Sequence, residues 1–346
     1  MKALIYQGPG KIAVEERDKP VIKKPSDAVV KLKKTTICGT DLHILKGDVA
    51  TCTAGRILGH EGIGIVDSVG SGVTEMSPGD KVIISCITSC SKCEPCRRGM
   101  YSHCIHGGWV LGNRIDGTQA EYVLIPQADT SLYKIPDGVN EEALVLLSDI
   151  LPTGFECGVL NGKVQPGNSV AIVGAGPIGL ATLLTAQFYS PAEIIVIDVD
   201  EHRLALAQRL GATQVINNQD GNAASKVMEM TNGRGVDTAI EAVGIPATFV
   251  LTEDLVAAGG TIANVGVHGM KVDLHLERLW SQNITITTRL VDTVSTPMLL
   301  KTVCAHKIDP QLLISHHFKF ENILDAYDTF RQAAKTNALK VIIDVS

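Results

Sequence analysis

Aromatic residues are scarce in this sequence of 346 residues, at 4%, and only two are tryptophan. Glycine, by contrast, occurs 33 times. Few aromatics and many glycines suit an α/β protein with Val/Ile-rich parallel strands and tight turns between strand and helix. An excess of positive charge is also missing. The net charge of -6 gives no drive toward nucleic acid or an anionic membrane. The early lysines (Lys19, Lys23, Lys24, Lys31, Lys33, Lys34) are read as a solvated strand surface rather than a binding patch. The opening MKALIYQGPG lacks the apolar core and cleavage site of a secretory signal. An unbroken membrane-length apolar run is lacking as well. The uncharged stretch between Lys163 and Glu193 is long enough, but Pro166, Gly167 and Asn168 open it as a turn. Gly174, Gly176, Pro177 and Gly179 then break its middle. A buried strand, a glycine turn and a buried helix explain it better than a span. A cytoplasmic protein is expected, with small neutral or anionic ligands and no membrane or nucleic-acid partner.

The length is long for one domain and comfortable for two. The first 148 residues contain short apolar runs separated by turn chemistry, such as KALIYQG, DAVVKLKKTTI, GHEGIGIVDSVG, DKVIISC and AEYVLIP. They read as a β-rich domain. From Val170 the pattern changes to alternating strands and helices: SVAIVGAG, PIGLATLLTAQFY, EIIVIDVD, EHRLALAQRLGA, TQVIN, AASKVMEMT, VDTAIEAVG, PATFVLTEDLVAAGG as helix, and TIANVGV. That alternation predicts a doubly wound parallel sheet. The tail, a helical ENILDAYDTFRQAAKTN and a strand LKVIIDV, is expected to return to the first domain.

GAGPIG, Gly174 to Gly179, matches the dinucleotide fingerprint G-x-G-x-x-G. The pattern alone is weak, and a plain structural turn is the competing reading. The strand before it and the apolar helix after it strengthen the case. Gly174 permits the tight turn, Gly176 lets the backbone approach a pyrophosphate, and Gly179 allows close helix–strand packing; Pro177 and Ile178 open the helix. Its N-terminus supplies positive potential. The next strand ends in Asp198, whose carboxylate suits ribose hydroxyls and repels a 2′-phosphate, which favours NAD over NADP.

Nine cysteines are unevenly placed, and Cys90, Cys93, Cys96 and Cys104 fall within one short segment. In a chain without a secretory signal, such clustering points to metal rather than disulfides. Four thiolates make a closed tetrahedral set suited to structural zinc. An iron–sulfur cluster is the rival, but no second cysteine set and no Cys-Pro pair follow. A catalytic zinc needs three ligands and an open position. Cys38, His60 and Asp149 are dispersed candidates; taken singly, Cys38 and His60 read as ordinary core residues.

Together, ICGTDLHILKGD, GHEGIGIVDSVGSGV, PGDKVI, CSKCEPCRRGMYSHC, GTQAEYV and GAGPIG resemble the zinc-containing medium-chain alcohol dehydrogenases, in that family's order and over essentially the whole chain. The resemblance implies a Rossmann domain at 149–288 and a GroES-like catalytic domain at 1–148 and 289–346, with a structural zinc lobe at about 86–105. It implies two zinc ions per subunit. Cys38, His60 and Asp149 match the catalytic ligands, and Glu61 a neighbouring acid that approaches or tunes the metal. The third ligand is cysteine in many relatives, including the animal liver enzymes. Asp149 instead matches some bacterial secondary-alcohol dehydrogenases and glutathione-independent formaldehyde dehydrogenases, which makes the site harder.

The resemblance further implies that Thr40, the ribose hydroxyl and His43 pass the alcohol proton to solvent while hydride goes to nicotinamide. Thr153 matches a residue packing on the nicotinamide, and Val265 and Val267 match backbone contacts to its carboxamide. Arg203 matches a basic residue near the adenosine ribose and Lys340 one near the pyrophosphate. Relatives often carry a basic residue where Gly39 stands, which shifts phosphate charge onto Lys340 and the helix N-terminus. The substrate pocket is expected to use Thr40, Cys86, Trp109 and Val49; Trp109 as plain core is the competing reading. The implied reaction is reversible oxidation of short-chain primary or secondary alcohols to aldehydes or ketones with NAD. The alternatives are a polyol dehydrogenase, a formaldehyde dehydrogenase or dismutase, and a non-catalytic dinucleotide-binding relative. A homotetramer is expected, with a homodimer as the other state.

Overall fold

A computed structural model describes residues 1–345. It divides into two compact units: Met1–Asp149 with the chain from Asp292 onward, and Ile150–Val291. Both boundaries fall slightly later than the expected 148/149 and 288/289. Asp149 stays with the β-rich unit because its carboxylate lies 3.2 Å from His60 Nε2 and Ser148 Oγ bonds the Gly62 backbone at 3.2 Å. Asp292 joins the same unit by accepting the Ser102 N–H and hydroxyl, each at 2.8 Å.

In the β-rich unit the strand Ala28–Thr36, AVVKLKKTT, is the organising element. It pairs antiparallel with Gly62–Val69, Tyr122–Ile125 and Lys340–Asp344 in a seven-stranded sheet. The last of these pairings, Ile343 opposite Thr35, returns the chain's tail to this unit. Val30, Leu32, Val66, Val82 and Ile84 form one core cluster beneath the sheet. Leu4, Ile37, Ile44, Leu58 and Ile343 form another, against the buried face of the helix Ile323–Arg331. Each such side chain contributes roughly 1.5–3 kcal/mol on burial. Between the two long strands runs the helix Gly39–Lys46. Cys38 caps it, the Asp41 carboxylate accepts the Cys38 N–H at 3.0 Å, and Gly47 stops it at a φ of 88°. This capping box fixes a short helix of low amphipathicity and so sets where Cys38, Thr40 and His43 stand.

The second unit is a six-stranded parallel sheet in the order Gln214–Asn217, Glu193–Asp198, Ser169–Val173, Val236–Glu241, Val256–Asn264, Thr285–Thr288. The chain order reverses between Ser169–Val173 and Val236–Glu241, and ligands of such sheets bind beyond the strand ends at that point. The uncharged run near Gly174 resolves as the strand Ser169–Val173, the glycine turn and the helix Pro177–Ala186. Ten residues span about 15 Å, half a bilayer core. Among the described residues no single helix is long and apolar enough to cross a membrane. One expected element is corrected. VAAGG does not continue the helix Pro246–Leu255; it begins the strand Val256–Asn264, where Val256 pairs with Val236. The two glycines sit at a register irregularity before Thr261, so the partner strand overrides the apparent helical run.

Candidate active site and metal centres

Two clusters of metal-ligating atoms form in the β-rich unit. Cys90, Cys93, Cys96 and Cys104 bring their sulfurs within 4.8 Å of one another. Cys93 Sγ lies 3.4 Å from Cys96 Sγ and 3.9 Å from Cys104 Sγ. The short helix Glu94–Arg97 and the turn after Met100 fold the segment back on itself. The backbone N–H of Cys96 and neighbouring donors pull the Cys93 thiol down to about 6, whereas burial beside other sulfurs pushes Cys96 up to about 12. Sulfurs held by one tetrahedral ion at about 2.3 Å sit roughly 3.8 Å apart, so the set fits zinc.

The second cluster gathers Cys38, His60, Glu61 and Asp149, again within 4.8 Å. Asp149 Oδ2 lies 3.2 Å from His60 Nε2 and 3.8 Å from Cys38 Sγ. For a mixed N, O, S set around zinc the expected separations are roughly 3.3–3.6 Å. Burial raises the Cys38 thiol. Burial opposes charging His60, yet Cys38, Asp149 and Asp41 together push its imidazole well above the ordinary histidine range. A half-buried thiol beside a buried imidazole and buried carboxylates makes a donor set that suits a cation. A further sign lies behind the ring. His60 Nδ1 and Asp41 Oδ1 are both buried without a hydrogen-bond partner and face each other at 3.8 Å. A metal on Nε2 fixes the tautomer that carries its hydrogen on Nδ1, toward that carboxylate.

The residues around this cluster have distinct positions. Thr40 Oγ1 lies 3.6 Å from Cys38 Sγ. His43, three residues further along the same helix face, holds Nδ1 at 3.0 Å from Asp48 Oδ2. Trp109 meets the His60 ring edge-on at a centroid distance of 6.2 Å, and Val49 is half-buried against the same core cluster. Cys86 is buried, and its N–H donates to the Ser148 carbonyl at 3.0 Å, next in sequence to Asp149. Lys340, which the resemblance matches to a residue near the pyrophosphate, turns inward in its own unit. It is 1% exposed, and its ammonium sits 2.6 Å from Glu61 and 3.3 Å from the Ile37 carbonyl. Strand pairing of Lys340–Asp344 carries it inward, and the buried Glu61 carboxylate requires a partner there. Sequence reasoning missed Asp41, Gln119 and Tyr327. The first was legible only as a helix-start acid, three residues after Cys38. Gln119 lay inside GTQAEYV, and Tyr327 on the apolar face of the C-terminal helix.

In the second unit the glycine turn has the form its spacing implied. Gly174 has a φ of 104°, and a Cβ on Gly179 would lie 1.8 Å from the Gly174 carbonyl oxygen. Gly176 caps the helix that starts at Pro177 and Ile178, and Arg203 is its nearest neighbour, 4.0 Å from where a Cβ would be. Asp198 accepts N–H groups from Ala175 at 2.6 Å, Val199 at 2.7 Å and Asp200 at 3.0 Å. Its carboxylate thus ties the turn to the end of the neighbouring strand. Glu241, fully buried at the end of the next strand, accepts Val243 and Gly244 N–H groups on its side chain. Its carbonyl accepts those of Val265 and Gly266, which pins the segment bearing Val265 and Val267. Thr153 ends the short helix Ile150–Thr153.

Comparison with known proteins gives the family. Residues 24–137 match the family model of the alcohol dehydrogenase GroES-like domain, and residues 177–302 that of zinc-binding dehydrogenases. The chain is 36% identical to an alcohol dehydrogenase of Cupriavidus necator, over 99% of this chain and 98% of that protein. It is 32% identical to the NADP-dependent isopropanol dehydrogenase of Thermoanaerobacter brockii, over 99% of both. Among solved structures, the apo form of zinc dependent alcohol dehydrogenase 2 from Streptococcus pneumonia superimposes with a TM-score of 0.96. It is 53% identical and is matched over 100% of this chain and 99% of that one.

Proposed function

Since the chain belongs to the zinc-dependent medium-chain alcohol dehydrogenase family, we propose that it oxidises short-chain primary or secondary alcohols reversibly to aldehydes or ketones, with NAD as hydride acceptor. The observation that carries this reading is the convergence of Cys38, His60 and Asp149 beside the Thr40 hydroxyl. These three residues would hold the catalytic zinc, with Glu61 behind them, and the four lobe cysteines a structural one. The catalytic ion, when bound, supplies Lewis acidity that eases loss of the alcohol proton and polarises the carbonyl product. Thr40 Oγ1 would accept that proton as it gives up its own hydroxyl proton toward His43. His43 moves it on to solvent: Asp48 can only accept, so Nδ1 carries the hydrogen and Nε2 is left as the base. Trp109, edge-on to His60, narrows the space for the alcohol together with Cys86 and Val49 and so favours small aliphatic substrates. Thr153 and the Val265 and Val267 backbones orient the nicotinamide, and the glycine turn receives the pyrophosphate.

NAD is favoured because the Asp198 carboxylate repels a 2′-phosphate. The NADP reading rests on Arg203 near the turn and on the NADP-dependent relative. The thiolate ligand sets suit a reducing compartment, the cytoplasm. Exposed Met270, Leu276 and Trp280 and the open sheet edge at Thr285–Thr288 support association with other copies of the chain, and the resemblance makes a homotetramer the preferred state.

The test combines zinc content per chain with NADH formation across an alcohol panel. Two zincs and turnover of ethanol, 2-propanol or 2-butanol are expected. One zinc without turnover refutes the catalytic assignment, and polyol or formaldehyde activity far above these alcohols refutes the substrate class. Asp198→Gly is expected to weaken NAD use and admit NADP; unchanged preference refutes the cofactor argument.

A further inference from the structure

Behind the candidate catalytic centre lies a buried polar chain that the proposed reaction does not use. Asp41 is 1% exposed and touches two of the three proposed ligands: its Oδ2 accepts the Cys38 N–H, and its Oδ1 faces His60 Nδ1. The same Oδ2 accepts from Gln119 Nε2 at 3.1 Å, and that amide nitrogen also donates to the Thr36 carbonyl at 3.1 Å. On its other side Gln119 Oε1 accepts the Tyr327 hydroxyl at 2.8 Å. Gln119 and Tyr327 are both fully buried.

The chemistry of this chain has one direction. Two acceptors, a carboxylate and a carbonyl, require the NH2 end of Gln119, so its oxygen must face Tyr327. Tyr327 must then donate. Burial and the Asp41 charge hold its phenol well above the ordinary tyrosine range, so it keeps the proton it donates. Every hydrogen bond along the chain therefore points toward Asp41.

We propose that Gln119 and Tyr327 are positioning residues for the catalytic metal, acting through Asp41 to set the orientation of His60 and the Cys38 backbone. This rests on the reading that Cys38, His60 and Asp149 hold zinc. Tyr327 comes from the helix Ile323–Arg331 and Gln119 from the segment before the strand Tyr122–Ile125, so two distant parts of the unit bear on one carboxylate, that of Asp41. Groups bonded directly to ligands typically change metal affinity 10- to 100-fold, and the effect is expected to fall to about 3- to 10-fold at Tyr327, two hydrogen bonds beyond Asp41.

The experiment follows zinc release from the intact holoenzyme to a chelator, with the four-cysteine site as internal reference. Tyr327→Phe keeps the volume and removes only the hydroxyl. Tyr133→Phe is the control, since it deletes a hydroxyl bonded to the Thr293 carbonyl in the same unit. Tyr327→Phe should release the non-lobe zinc about 3- to 10-fold faster, leave lobe release unchanged, and shift the visible spectrum of cobalt placed in the catalytic site. In a Gln119→Leu background the same change should add nothing, because Tyr327 acts through Gln119. Release equal to wild type, equal acceleration at both sites, or additive effects of the two changes each overturns the proposal. A wild-type enzyme holding only the lobe zinc overturns the zinc reading and this inference with it; two zincs with unaltered release overturn this inference alone.

Discussion

Gly176 and Gly179 lie three residues apart in one motif, yet the structure predicts opposite consequences for adding a methyl group to each. At Gly179 the new Cβ would meet the Gly174 carbonyl oxygen at 1.8 Å. Reaching even the 3.0 Å below which such contacts essentially never fall requires 1.2 Å of movement between the helix and the turn. Neither partner is a flexible side chain, so the cost belongs at or above the upper end of overpacking, about 3 kcal/mol. The gain in helix propensity from glycine to alanine offsets under 1 kcal/mol of that. At Gly176 the only atom near the new Cβ is an Arg203 nitrogen at 4.0 Å, and the φ of -72° is ordinary for alanine. Stability should fall by less than about 1 kcal/mol there, the difference between the two residues as caps. If a pyrophosphate approaches this backbone, however, the methyl group stands in its path, and 1–3 kcal/mol of overpacking becomes roughly 5- to 150-fold in affinity. Urea unfolding and NADH titration by fluorescence on Gly176→Ala and Gly179→Ala separate the two effects. A Gly176→Ala protein that binds NADH like wild type would refute the placing of the pyrophosphate at this turn. A Gly179→Ala protein of unchanged stability would refute the packing argument.

Lys340→Met leaves the Glu61 carboxylate buried without its cation and is expected to cost about 3–5 kcal/mol in urea unfolding. Adding Glu61→Gln should recover most of that loss, and an equally unstable double variant would show that the pairing is not the cause. Asp237 accepts the Ser169 N–H at 2.8 Å and hydroxyl at 2.9 Å and pairs with Arg234 at 3.0 Å. Burial opposes its charge, but these donors hold its carboxyl below the ordinary range. Its contribution is therefore complete above the unfolded value of about 3.9 and is lost as pH falls through the lower folded value. Asp237→Asn should cost about 1–2 kcal/mol at pH 7, after allowance for partial exposure, and less as the pH falls below 4. A stability gap that stays constant from pH 7 to pH 3.5 would contradict this sign.

Much of this molecule was legible before any coordinates. The four lobe cysteines are local: their spacing over fifteen positions leaves a folded turn little freedom, so ligand identity and grouping follow from the chain itself. The glycine motif is local too, since strand, turn and helix are contiguous and each glycine answers a backbone requirement at its own position. Cys38, His60 and Asp149 were found only through resemblance, because nothing in a lone cysteine, histidine or aspartate records its distance to the others. Tertiary structure decided what spacing cannot carry. Val256 became strand rather than helix because Val236 pairs with it. Lys340 turned inward because its strand lies against Ala28–Thr36, where Glu61 is buried. Asp41, Gln119 and Tyr327, separated by 78 and 208 positions, join one hydrogen-bonded chain only in the folded unit. Local periodicity and turn chemistry act over a few residues and are written in order along the chain. Contacts between buried polar groups depend on which distant surfaces pack together, and only the folded unit sets those.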